Sequence, residues 1–217
     1  MTTGEAVSRE APGGGARIRD TTINFGKARP RARADRDWYI EPLEAVEALL
    51  LAERFSGLSW DPACGSGVIP AAFTAARLEV DGSDIVDRAG GKYHVCDFLT
   101  DFDHDPLEPI ANIVNNPPFN LARQFIDKAL TIASHKVAML LPLTFLEGQA
   151  RARWLATTPL ARVHVFSWRI SMPPGELLTT GKIEAKGGKK CFAWFVREHG
   201  WRGPPQVHLL TKSGADG

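Results

Sequence analysis

The ten residues L-S-W-D-P-A-C-G-S-G, Leu58 to Gly67, decide the fold. Leu58-Ser59-Trp60 reads as a short strand, and the turn behind it holds two glycines one residue apart, Gly65 and Gly67. Glycine reaches φ > 0 without steric penalty and lets a ligand approach the backbone closely. A helical segment to about Arg77 follows, so the chain passes from strand to helix through a glycine corner. That is the opening of a βαβ unit, and the pattern repeats outward from it.

Upstream, Glu41-Pro42 opens a helix, with proline near the first position, where its missing N–H costs nothing. Leu43, Val46, Leu50 and Leu51 recur there at helical spacing. Downstream, strands are expected over 78–84, 93–98, 111–114 and 136–141, with helices over 121–133 and 149–156. Two last strands, 162–168 and 191–196, are joined by a stretch rich in Gly, Pro and Lys and pair as an antiparallel hairpin. Strands alternating with helices predict an open α/β sheet of seven strands, mostly parallel, with one reversed. Residues 1–36, with Gly13-Gly14-Gly15 and no apolar period, read as a flexible arm, 37–200 as the domain and 201–217 as a tail.

Composition narrows the function classes. Apolar residues make up 44% of the 217, enough for a substantial core, and a net charge of +1 offers no whole-chain attraction to nucleic acid or membrane. The distribution is less even: seven Lys/Arg stand between Ala16 and Arg36 against Asp20 and Asp35, which suits a basic arm or a solvated tail. Cys64, Cys96 and Cys191 lack CxxC spacing, and the histidines form no metal-binding pair. Asp101, Asp103, His104 and Asp105 read as an exposed acidic loop, so no metal is expected. No apolar run, Val137 to Leu141 included, is long enough to cross a bilayer, and the N-terminus lacks a signal-peptide core. A soluble cytoplasmic chain is expected.

In open α/β sheets ligands collect at the carboxyl ends of the strands. Asp61, Asp84, Asp97 and Asn116 all fall at such ends. Pro70 stands where a dinucleotide fingerprint needs its third glycine, which favours an adenosyl group without phosphates over a pyrophosphate. Asp84, at the end of the second strand, is placed to accept ribose hydroxyls.

D-P-A-C-G-S-G followed by N-P-P-F, Asn116 to Phe119, resembles the S-adenosylmethionine-dependent amino-methyltransferases, above all the DNA adenine-N6 methyltransferases. The resemblance implies the class I methyltransferase fold, Rossmann-like, and S-adenosylmethionine as cofactor. It implies that Asp61, Ala63, Gly65 and Gly67 shape the methionine side of the pocket and that Asp84 binds the ribose. Asp97-Phe98-Leu99 is similar to the family's D-F-L segment, whose acid meets the adenine amino group of the cofactor. Asp37-Trp38-Tyr39-Ile40-Glu41-Pro42 resembles the N-terminal motif that closes over the methionine end, although the family more often has Thr where Glu41 stands. With Leu140-Leu141-Pro142 and Phe192 to Val196, the likeness extends over residues 37 to 198, to small phage and prophage methyltransferases.

The corner I-V-N-N-P-P-F-N, Ile113 to Asn120, suits that chemistry. Two prolines fix φ near −65° and remove two donors. An exocyclic amine keeps its lone pair in the ring until two acceptors engage its N–H bonds. The Asn116 oxygen and the Pro117 carbonyl are those acceptors, held rigidly by Pro117 and Pro118. Phe119 provides a flat apolar surface for an extruded base. The plain alternative is that Asn116 caps the following helix and Phe119 packs into the core.

The acceptor is less specified. No separate target-recognition domain is expected, so substrate contacts are expected from the arm and the loop 171–190, where Lys182, Lys186, Lys189 and Lys190 outnumber Glu176 and Glu184. Relaxed or short-site specificity follows, since phosphate contacts position without specifying. DNA adenine leads as substrate, ahead of RNA adenine and then protein glutamine; a non-catalytic nucleic-acid-binding subunit of the same fold is the alternative outside catalysis. The expected state is a monomer or weak dimer.

Overall fold

The computed structural model describes residues 38–101, 109–175 and 190–212 together with Met1. The basic arm, Asp103 to Asp105 of the acidic loop and Lys182, Lys186 and Lys189 lie outside the described residues. The strands are β1 (Ser59–Asp61), β2 (Val80–Asp84), β3 (His94–Val95), β4 (Asn112–Asn115), β5 (Lys136–Pro142), β6 (Leu160–Phe166), β7 (Phe192–Glu198) and β8 (Gln206–Leu210). They form one sheet in the order β3-β2-β1-β4-β5-β7-β6-β8. Every pairing is parallel except those of β7, which runs antiparallel to both β5 and β6. The expected α/β sheet with one reversed strand is present.

Period-two alternation gives the sheet two apolar faces. In β7, Ala193 and Phe195 join a cluster with Trp60, Ile113, Phe125 and Met139 under α3 (Ala122–Ile132) and α4 (Gln149–Leu155). Trp194 and Val196 join the opposite cluster with Val46, Leu49, Ile69 and Phe73 of α1 (Leu43–Ala52) and α2 (Val68–Ala75). The result is a sheet covered by helices on both sides.

Three expectations are corrected. The sheet has eight strands, not seven, because the stretch read as a tail supplies β8 along the free edge of β6. Four of its five residues are exposed, Val207 and Leu209 among them, so it carries no core-facing apolar period. The buried face of α1 is Ala45, Val46, Ala48 and Leu49, whereas Leu43 and Leu51 are exposed. Small residues are needed there because the Trp194 indole N–H donates to the Ala45 carbonyl, at 2.8 Å. Finally, the third strand shrinks to His94–Val95, and Asp97 and Phe98 lie beyond it in a turn closed by bonds from the Thr100 and Asp101 N–H groups to the Asp97 carbonyl.

The order of the first strands positions the site. From β1 the chain moves outward to β2 and β3, then returns to place β4 on the other side of β1. The carboxyl ends of β1 and β4 therefore diverge at a topological switch point, where such sheets hold ligands.

Candidate active site

A cavity of about 300 Å³ opens at that switch point. Its walls include Ala63 and Gly65 from the turn after β1, Asp84 and Arg88 after β2, and Asp97 and Phe98 after β3. Asn116 and Pro118 close it on the β4 side, and Trp38 and Tyr39 cover it. Nine of the sequence-derived site residues thus share one cavity. Asp61, Gly67, Pro117 and Phe119 stand behind its wall.

The glycine turn takes the expected positive φ at both positions, +54° at Gly65 and +88° at Gly67. What approaches them is protein. A Cβ at Gly65 would meet the Trp38 Nε1 at 2.7 Å, and one at Gly67 would meet the Tyr93 ring at 2.4 Å. Trp38 is held in place from three sides. Its carbonyl accepts from the Gly175 N–H at 3.0 Å, the Ile40 N–H donates to the Pro173 carbonyl, and the Arg88 guanidinium lies 4.5 Å from its ring centre. The segment 38–40 is therefore a strap over the glycine turn, tied to the residues that lead into the lysine-rich loop.

Four carboxyl groups surround this space. Asp84 takes the Gly65 N–H on Oδ2 at 2.9 Å and the Val86 N–H on Oδ1 at 3.0 Å, and Arg88 also bonds Oδ1. A carboxylate has about four acceptor positions, so one at Oδ2 is left for a hydroxyl. Burial raises the Asp84 pKa in spite of Arg88. Asp61 is raised well above the ordinary value, by burial and then by the neighbouring Glu41; its Oδ1 accepts from Asn115 Nδ2 at 2.6 Å, and its Oδ2 has no partner. Burial pushes Glu41 to about 7. Asp97 accepts from the Leu99 N–H on Oδ1 at 3.0 Å and keeps a buried, unpartnered Oδ2. Carboxyl groups whose charged form is destabilised by burial are suited to a cationic ligand, which returns the missing compensation. A ligand bearing a sulfonium, an ammonium and an adenine amino group matches both the charge and the open acceptors.

The proline corner behaves in two ways. Asn116 does not cap the helix behind it: the turn Phe119–Leu121 and α3 have no side-chain caps. Instead its Nδ2 donates to the Tyr39 carbonyl at 2.8 Å and to Glu41 Oε2 at 2.9 Å, and its Oδ1 is buried without a partner. Phe119 does pack into protein. It stacks on Tyr39 with ring centres 5.6 Å apart and tilts against Phe192 at 5.8 Å. At this corner the aromatic ring that lines the cavity is Tyr39, with Phe119 supporting it from behind.

Two site residues were not singled out from the sequence for these roles. Glu41 was noted only as a departure from the resemblance, since its partner Asn116 lies 75 residues away. Arg88 was open to detection, four residues beyond the strand-end acid Asp84 with which it pairs. Among the described residues no group of three His, Cys, Asp or Glu has metal-binding geometry, and no helix is long and apolar enough to cross a membrane.

Solved structures share this fold. A proposed RNA methyltransferase from Pyrococcus horikoshii superposes with a TM-score of 0.53 at 17% identity, over 82% of this chain and 92% of that one. The modification subunit of a proposed type I restriction enzyme from Vibrio vulnificus YJ016 gives 0.52 at 12% identity, over 82% of this chain and 48% of its own. The chain has the class I methyltransferase fold. A magnesium protoporphyrin IX methyltransferase from Synechocystis PCC 6803, solved with bound S-adenosylmethionine, is a more distant match, with a TM-score of 0.46 at 12% identity over 72% of this chain and 78% of that one. No protein-family model matches the sequence, and neither does any curated protein. In methyltransferase terms, the cavity and the proline corner occupy the carboxyl-end rim of the sheet.

Proposed function

We propose that this chain is an S-adenosylmethionine-dependent amino-methyltransferase acting on N6 of adenine in DNA. One observation carries the reading: Asn116 commits its amide nitrogen to Tyr39 and Glu41 and keeps a buried, unpartnered oxygen beside a cavity rich in carboxyl groups. Nucleic acid as acceptor draws support from the N-P-P-F corner and from structural neighbours named for RNA methylation and for restriction-modification.

When bound, S-adenosylmethionine supplies an electrophilic methyl group on a cationic sulfur. The remaining acceptor position of Asp84 suits a ribose hydroxyl, and Asp97 Oδ2 suits the adenine amino group. Trp38, Ala63 and Gly65 border the methionine side, while Asp61 and Gly67 shape that wall from behind. Asn116 Oδ1 accepts one N–H of the target amine, and the Pro117 carbonyl accepts the other. Together they hold the nitrogen lone pair out of conjugation. Pro117 and Pro118 preorganise these acceptors, so little reorganisation is needed as charge develops on nitrogen. The methylated amine is acidic enough to lose its proton to water, so the neutral Asn116 suffices. Tyr39, backed by Phe119, presents the ring against which an extruded base stacks, an interaction worth about 1–3 kcal/mol.

The test is incubation with methyl-labelled cofactor and, separately, unmethylated DNA, RNA and a glutamine-bearing protein, followed by digestion and mass spectrometry. N6-methyladenine in DNA is expected. Label confined to RNA adenine or to glutamine would move the acceptor, and cofactor binding without transfer to any substrate would favour an accessory subunit.

A further inference from the structure

We propose that Glu41 is a positioning residue of this transfer, fixing which end of the Asn116 amide is offered to the target amine. The inference rests on the amino-methyltransferase reading above. An asparagine amide has nearly the same shape after a half-turn, but the turn exchanges an acceptor for a donor. A donor end facing an amine N–H would repel it. Two neighbours prevent that turn. The Tyr39 carbonyl and the Glu41 carboxylate are pure acceptors, 2.8 and 2.9 Å from Asn116 Nδ2. They use both amide hydrogens and leave Oδ1 as the free acceptor.

Glu41 is itself fixed. It is 7% exposed, lies at the edge of the cavity just ahead of α1, and receives the Ile69 backbone N–H from the first turn of α2. Its electrostatic neighbours are Asp61 after β1, which repels it, and the Cys64 thiol in the glycine turn. Asp84 and Arg88 pair with one another on the β2 side. Asn115 and Asn116 after β4 are uncharged, and Ser171 to Gly175 carry no titratable side chain. Glu44 of α1 is engaged by Trp168 and Lys212. Burial lifts the Glu41 pKa to about 7. Once protonated, Glu41 becomes a donor that favours the turned amide, with Oδ1 withdrawn from the amine. The productive arrangement is therefore present above that pKa and is lost as pH falls through it.

The experiment compares wild type with Glu41→Gln and Glu41→Leu. Methyl-transfer kcat is measured at saturating cofactor from pH 5.5 to 9, with the cofactor Kd taken in parallel. Gln mimics the protonated acid, with one acceptor and one donor, and does not titrate. E41Q is expected to hold at pH 8.5 the lowered kcat that wild type shows on its acid side, and to lack the acid limb. E41L is expected to lose roughly 10- to 100-fold in kcat at every pH, as misplaced reacting groups do, with Kd little changed. The second readout needs no turnover: the Asn116 side-chain amide resonances of cofactor-free protein are followed by NMR. They should titrate near neutrality in wild type and stay fixed in E41Q. An acid limb unchanged in E41Q, full kcat in a folded E41L, or Asn116 resonances that ignore pH would each overturn the proposal. Absent transfer alongside titrating resonances would refute the amino-methyltransferase reading and leave the coupling of Glu41 to Asn116 standing.

Discussion

Glu41 and Glu53 flank the same helix, α1, and both are buried, yet their carboxyl groups move in opposite directions. Burial pushes both upward. At Glu53 hydrogen bonds from His164, Arg162 and Lys136 overcome it and hold the group at about 2. At Glu41 the Asn116 amide and two backbone N–H groups are the compensating donors, they fall short of the cost of burial, and the group stays near 7. One end of α1 sits at the amino ends of β5 and β6, where Lys136, Arg162 and His164 all reach the Glu53 carboxylate. The other sits on the carboxyl-end rim, where compensation is incomplete. The lesson is local: burial sets the cost of a charge, and the partners decide whether the protein meets that cost or leaves it to a ligand.

The sharpest way to break this contrast is to remove Glu53. Glu53→Ala strands Lys136 and the shared guanidinium of Arg162, and should destabilise the fold by roughly 3–5 kcal/mol in denaturant titrations. A loss near zero would mean that the cluster is not a scaffold.

The pH dependence of stability comes next. A carboxyl group with a raised folded pKa stabilises below its unfolded value and loses that contribution as pH rises through the folded one. For Glu41 the window is about pH 4.5 to 7, and the loss is of order 3 kcal/mol. Asp61 and Asp84 act in the same direction. The cofactor-free protein should therefore melt at lower temperature at pH 8 than at pH 5.5, with a smaller difference in Glu41→Gln. Glu53 is flat across that window, because its contribution disappears only as pH falls through about 2. A melting temperature that rises toward pH 8 would contradict the uncompensated rim.

A smaller effect is expected at Asp84. Asp84→Asn should weaken cofactor binding about tenfold or more, the scale of a hydrogen bond to a charged group. An unchanged Kd by calorimetry would remove Asp84 from the site.

Much of this was legible in sequence, and the boundary is physical. Gly65 and Gly67 announced the turn because positive φ is a backbone demand, and Asp61, Asp84 and Asn116 announced the rim because strand ends are fixed by local pattern. Contacts between distant segments left no such trace. Glu41 is defined by a partner 75 residues on. Phe119 read as a free aromatic surface until Tyr39 was found stacked on it. Arg197 falls one residue past the expected strand 191–196, yet it is fully buried in β7 with its guanidinium 5.5 Å from the Trp154 ring, and burial lowers its pKa to about 9. β8 escaped detection because an edge strand with outward Val207 and Leu209 has little core-facing pattern to read.

The most direct test of the central claim is methyl transfer by wild type and Asn116→Ala on unmethylated DNA, with cofactor affinity measured on the same samples. Loss of one preorganised polar group of this kind costs about 100- to 1,000-fold in kcat, and cofactor affinity should stay within a few fold of wild type. Equal transfer by the two proteins would contradict the account.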